Sequence, residues 1–285
     1  TQLMLQIMVH FFQVVFMLHS LRAASSGAGH GGSGGRGKDL EKGGIPYGDI
    51  YEPTLFGSSG GGPSGGAGGG RIWLNVTNTI YIDGIITASG ANGVSSAGNA
   101  GGGGSGGSIW LHCNTISGYG KLLARGGNGS YFKDSIGNEL YGGGGGGGRI
   151  AMYFKENTTF SEFRFLANGG WPGMNCNTCE GGGPGTVFLY HMIQNHRTLI
   201  IDNDNAPAAR NKYVNWEDIS KDGGRAWILP LSGHHRFASS YFVYEFEELQ
   251  IYGHGHLAVL PPKDVNVVNV ETSSNIAPIS SNASD

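Results

Sequence analysis

A glycine tract runs into a short apolar block four times in this chain, and that recurrence constrains the fold more than any other feature. The segments are Gly68-Gly69-Gly70-Arg71-Ile72-Trp73-Leu74, Ser105-Gly106-Gly107-Ser108-Ile109-Trp110-Leu111, Gly146-Gly147-Gly148-Arg149-Ile150-Ala151-Met152-Tyr153 and Gly183-Pro184-Gly185-Thr186-Val187-Phe188-Leu189-Tyr190. Their leading apolar residues, Ile72, Ile109, Ile150 and Val187, stand 37, 41 and 37 positions apart. A nearly constant period of this length marks a stack of equivalent units, none of which buries its apolar face alone.

Each unit holds a second β-branched or aromatic run bounded by Gly, Asn or Asp, which reads as a strand. These runs are Ile80 to Ala88, Gly120 to Gly127, Phe163 to Gly170 and Thr198 to Asn203. No amphipathic helix is legible between Gly27 and Asn205. The expected fold is therefore all-β. It is a glycine-rich parallel β-solenoid with coils of 37–41 residues and Ile72, Ile109, Ile150 and Val187 in one interior column. Structureless loops as long as Gly57 to Gly70 are uncommon in compact domains. Polyglycine segments meeting at the same point of each coil would instead approach closely and share backbone hydrogen bonds. Flexible surface arms are the alternative.

Three further segments complete the organisation. Residues 1–26 open on an apolar run, Leu3 to Leu21, followed by small residues, the profile of a signal peptide or membrane anchor. Residues 27–262 form the solenoid, and its last part, 206–262, is poor in glycine and rich in aromatic residues, as closing coils would be. Residues 263–285 are polar and read as a linker or the start of a further domain.

Glycine supplies 54 of 285 residues, but aromatic residues reach 11%, more than a disordered linker carries. A net charge of −3 gives no basis for electrostatic capture of nucleic acid. Of three cysteines, Cys176 and Cys179 are close enough for a local disulfide, and a zinc site would need a second pair. Four sequons, at Asn75, Asn128, Asn157 and Asn282, fit export and glycosylation.

Motifs that would carry chemistry are sparse. Gly32 to Lys38 imitates a phosphate loop, but Asp39 stands where a magnesium-binding hydroxyl is needed. Asp202 and Asp204 lie in an oxygen-rich turn of the kind calcium accepts, although a plain polar turn is the simpler account. His254 and His256 would share a face if they lay on a strand and would then form a metal-binding pair. No cofactor is expected beyond such a calcium ion. A polysaccharide lyase or glycosidase on a β-helix needs converging carboxylates, or a carboxylate with Arg. Asp83 and Arg125 are the nearest approach to that pattern.

Gly142 to Tyr153, Gly185 to Tyr190 with Leu199 to Asn203, and Phe246 to Gly253 with His256 to Val259 carry a family resemblance. They resemble the glycine-rich repeat regions of large extracellular multidomain proteins of cnidarians, other simple animals and protists. The first half is also similar to plant glycine-rich membrane proteins. The resemblance implies an extracellular or cell-surface solenoid and supplies no catalytic residues. The expected function is a non-catalytic structural, adhesion or ligand-binding scaffold. The alternatives are a β-helix polysaccharide-active enzyme and a receptor-type ectodomain. Further domains of the same chain are expected partners, as is an extracellular protein or carbohydrate. The binding surface would be the aromatic stretch containing Tyr241 and Tyr244.

Overall fold

A computed structural model of the chain describes residues 24–38, 43–96, 98–157, 164–174, 176, 178–205, 226–228, 244–259 and 270–271. The first coil contributes β1 (Arg71–Asn75), β2 (Thr79–Ile82) and β3 (Ile85–Thr87), followed by a small hairpin of β4 (Ser95–Ser96) and β5 (Asn99–Ala100). The second contributes β6 (Ser108–His112), β7 (Thr115–Gly118) and β8 (Lys121–Leu123), with a hairpin of β9 (Tyr131–Lys133) and β10 (Glu139–Tyr141). The third contributes β11 (Arg149–Phe154), β12 (Glu156–Asn157) and β13 (Arg164–Leu166). Then come β14 (Thr186–His191), β15 (His196–Asp202), β16 (Ala226–Ile228), β17 (Tyr244–Glu245), β18 (Glu248–Tyr252), β19 (Leu257–Val259) and β20 (Val270–Glu271). The described residues contain no helix.

The architecture is a β-solenoid of about three turns. Strands one coil apart pair in parallel on three faces: β1, β6, β11 and β14 on the first, β2, β7 and β12 on the second, β3, β8 and β13 on the third. The register aligns Ile72 with Ile109, Ile109 with Ile150, and Ile150 with Val187. That interior column is the one the sequence spacing predicts. Alternation sets it: on β2, Ile80 and Ile82 turn inward while Thr79 and Tyr81 face solvent. Leu111, Ile116, Leu122 and Met152 complete a core in which Ile109 and Ile150 have no exposed surface. Each fully buried aliphatic side chain stabilises by about 1.5–3 kcal/mol.

Two expectations need correction. The run Ile80 to Ala88 is not one strand, because Asp83 and Gly84 turn the chain and split it into β2 and β3. The coil is thus three-sided. Nor does the run from Thr198 add a further coil. β15 folds back antiparallel on β14, pairing Ile200 with Val187, and then receives β18 in parallel. The reversal is made by the turn between His191 and His196, where Asn195 adopts a left-handed φ of 49°. Most of 206–262, like all of 1–23 and 272–285, lies outside the described residues.

Between the third strand of one coil and the first of the next, the chain runs out and back through glycine-rich segments. Residues 101–107 and 142–148 are buried along their whole length. Gly103 N donates to Gly143 O, Gly106 N to Gly146 O, Gly145 N to Gly127 O and Gly127 N to Gly104 O. The segment 27–35 joins them: Ala28 N donates to Gly103 O, Gly35 N to Gly144 O and Gly31 N to Gly147 O. The approach leaves no room for a side chain. A Cβ on Gly103 would overlap the carbonyl of Gly127 and come within 2.8 Å of Gly145 N.

Candidate functional site

The outer face of the long sheet is aromatic. Trp73 and Trp110 occupy equivalent outward positions on β1 and β6 and stack with centroids 5.2 Å apart and planes at 12°. Tyr153, Phe188 and Tyr190 follow on β11 and β14, with Tyr153 edge-on to both neighbours. The segment 45–56 crosses the central part of this face. Its Ile50 and Tyr51 are buried there against Ala151, Tyr153 and Phe188, and Tyr244 and Phe246 close the same cluster.

Beneath this strap lies a polar hub. Arg149 is fully buried, donating from Nε to the Tyr47 carbonyl at 3.0 Å and from Nη1 to Thr186 Oγ1 at 3.1 Å. Burial pulls its pKa down to about 10, opposed by the nearby Asp49 carboxylate. His30 packs on Tyr47 with ring centroids 4.7 Å apart, and its Nδ1 lies 2.7 Å from Gly106 O. Burial, reinforced by the Arg149 charge, lowers its pKa to about 3. His30 is therefore neutral, and the hub locks the strap to the sheet.

The glycine arms end in tips that carry the more chemically varied side chains. The hairpin β9–β10 is organised by Glu139, which accepts from the hydroxyls of Tyr131 and Tyr141 at 2.9 and 2.8 Å and from Lys133 Nζ at 3.2 Å. Those donors hold its carboxyl down at about 2. Asp134 Oδ1 accepts from the amides of Ile136 and Asn138 and closes the hairpin turn. The next tip contains a disulfide between Cys176 and Cys179, packed against Tyr131 and Tyr141. Arg36 ties this tip to the N-terminal segment through its ion pair with the buried Glu180. An open cavity of about 470 Å³ lies at the tips, lined by Lys38, Gly98, Phe132, Asp134, Gly137, Asn138, Glu139 and Leu140. Its lining includes one aromatic side chain, one cation and two carboxylates, and the charged groups are already hydrogen-bonded within the tip, Lys38 Nζ to the Glu139 carbonyl at 3.0 Å.

The structure redistributes the residues singled out by sequence. Tyr244 is 1% exposed and its ring is 6.5 Å from that of Tyr51, so it belongs to the core and is no contact surface. Tyr241 lies outside the described residues, as does Asn282. His254 sits in a turn at φ 61° and His256 precedes β19, so the alternation of a strand does not apply to the pair. Asp202 Oδ1 accepts from the Asp204 amide at 2.8 Å, while the Asp204 carboxylate lies 3.8 Å from Arg125. Among the described residues no three His, Cys, Asp or Glu side chains converge as a metal site.

Asp83 and Arg125 occupy different columns: Arg125 N donates to Ser89 Oγ one coil away, whereas Asp83 sits in the corner between β2 and β3. The amides of Gly32 and Gly35, which a phosphate loop would aim at its ligand, donate to the carbonyls of Gly147 and Gly144. Asn75, Asn128 and Asn157 are exposed. Sequence reasoning missed the Arg149 hub and the strap, because nothing in the period marks the segment 45–56 as part of the sheet's outer layer.

No known protein family, no curated protein and no solved structure matches this chain. No helix among the described residues is long and apolar enough to cross a membrane.

Proposed function

We propose that this chain is a non-catalytic scaffold or adhesion segment of an extracellular protein. The observation that carries the reading is the pairing of an in-register apolar column with interleaved glycine segments bonded amide to carbonyl. Such a body is held together across three faces and through its arms, and its hairpins and disulfide sit at the arm tips. It suits a spacer that keeps attached elements at fixed positions. The exposed sequons at Asn128 and Asn157 and the Cys176–Cys179 disulfide support an oxidising, glycosylating route. The test has two arms. Secreted expression in a eukaryotic cell should give a mass that falls on glycosidase treatment, and purified protein should turn over nothing on a broad polysaccharide panel. Turnover abolished by Asp83→Ala or Asp202→Ala would overturn the scaffold reading.

The cavity at the arm tips favours a second role, ligand binding by the same scaffold. Its Phe132 and Asn138 combine a ring with an amide, chemistry that suits a carbohydrate or a polar peptide. Screening glycans and peptides against the protein and against Phe132→Ala and Asn138→Ala variants tests it; binding unaffected by both changes would exclude this cavity.

A further inference from the structure

Among the described residues, no strand pairs with the outer edge of the first coil. β1, β2 and β3 are each the terminal strand of their face, and all three terminate at the same end of the solenoid. Edge strands in soluble proteins are normally blunted by Lys, Pro, a bulge or a covering element. Here β1, β2 and β3 contain no Lys and no Pro, and Arg71, the sole charge in them, donates to the Thr54 carbonyl and lies over the Phe56 ring. Apolar groups are left open at this end. Trp73 is 56% exposed, Tyr81 65% and Ile85 61%, while Ile72, Leu74, Val76 and Ile86 are only partly buried where their counterparts deeper in the stack are fully covered.

The pattern of β1 is self-complementary. Its five residues alternate outward and inward about Trp73, with Arg71, Trp73 and Asn75 outward and Ile72 and Leu74 inward. An antiparallel pairing of β1 with itself about a two-fold axis at Trp73 sets Ile72 opposite Leu74 of a second copy. Every inward residue then stays inward. The same axis brings β2 of one copy against β3 of the other, with Ile82 facing Ile86. Trp73 already stacks on Trp110 through one face and leaves its other face toward the open end. In the pairing it meets Trp73 of the second copy, so that four indoles form one column. This sheet already accepts antiparallel addition at its far end, where β15 continues the column of β14 with Ile200 opposite Val187. An end-to-end contact covering all three edges buries on the order of 1,000 Å², the size at which specific interfaces become stable.

We infer that the first coil is an isologous docking surface for a second copy of this chain, giving an end-to-end dimer whose sheets continue across the two-fold axis. This rests on the strand edges and not on the scaffold reading. In this pairing Asn75 stands opposite Arg71 of the second copy, so the contact requires Asn75 to carry no glycan, and the measurement is made on Asn75→Gln protein. Sedimentation should show a concentration-dependent dimer, and Trp73→Lys should yield a folded monomer at every concentration, with a lower melting temperature because the stack on Trp110 and the dimer contact are both lost. Trp73→Cys, placed on the axis, should oxidise to a disulfide-linked dimer about tenfold or more faster than Ile136→Cys, an exposed position at an arm tip. A monomer at every concentration, a dimer that survives Trp73→Lys, or equal cross-linking at the two cysteines would overturn the inference. If Trp73→Lys fails to fold, the cross-linking comparison decides.

Discussion

Arg149 and Tyr47 meet through a 3.0 Å hydrogen bond that spans 102 positions of sequence, tying the start of the chain to the middle strand of the solenoid. The guanidinium is fully buried and has Thr186 Oγ1 and the Asp49 charge as further company. Removing one member of a buried ionic cluster leaves the others unsatisfied. Arg149→Ala is expected to cost about 3–5 kcal/mol, with a smaller loss for Arg149→Met, which keeps the packing volume. Guanidinium denaturation midpoints measure both, and equal, small losses would mean that the hub contributes little.

The glycine segments make a sharper contrast. Gly103→Ala places a methyl group into the Gly127 carbonyl, with only main chain available to move. It should destabilise by more than about 4 kcal/mol or prevent folding. Gly84→Ala meets nothing within 4 Å and should change stability by less than about 0.5 kcal/mol. Thermal melts of the pair read the difference.

His30 makes stability depend on acidity. Its folded pKa lies near 3, below the ordinary 6.5, so the native state favours the neutral ring. The contribution is complete above pH 6.5. It falls by about 1.4 kcal/mol per unit as pH drops from there toward 3, where the loss levels off. A His30→Phe variant that remains folded should flatten that slope. A wild-type midpoint constant between pH 6.5 and 4 would show that the ring is accessible to protons at no cost.

The Cys176–Cys179 bridge closes a very short loop, with a sequence separation of 3. Its effect on the unfolded chain is correspondingly small, about 2 kcal/mol or less. Cys176→Ser should leave the solenoid intact and raise amide exchange at Tyr131 and Tyr141, which pack against the bridge. Exchange spread over β6 and β11 instead would mean that the tip supports the whole stack.

The interior column was readable because Ile72, Ile109, Ile150 and Val187 each follow a glycine tract at a near-constant interval, and period is what stacking writes into sequence. Strand direction is not written that way. Thr198 to Asp202 has the same β-branched character as a stacked strand, and only the short turn before it reverses the chain. Tyr244 misled for a related reason: composition cannot separate an aromatic ring that contacts a ligand from one that fills a core. Its burial depends on the strap 45–56 lying across the sheet, a long-range placement with no local mark. The Arg149 hub was hidden likewise, since an Arg after a glycine tract recurs at Arg71, which is partly exposed. The arm tips escaped notice because their hairpins break the repeat.

The interleaved main-chain bonding of the arms also governs how such a chain can diversify. Substitution is nearly closed to it there, because even a methyl group collides with neighbouring backbone. Length is open. The longest interval, from Ile109 to Ile150, is also the one whose tip carries the larger hairpin, β9–β10. Lineages of this architecture should therefore vary by insertion and deletion at the tips while the tracts beneath stay invariant. A peptide grafted between Asp134 and Asn138 would inherit a rigid mount without rewriting the frame that holds it.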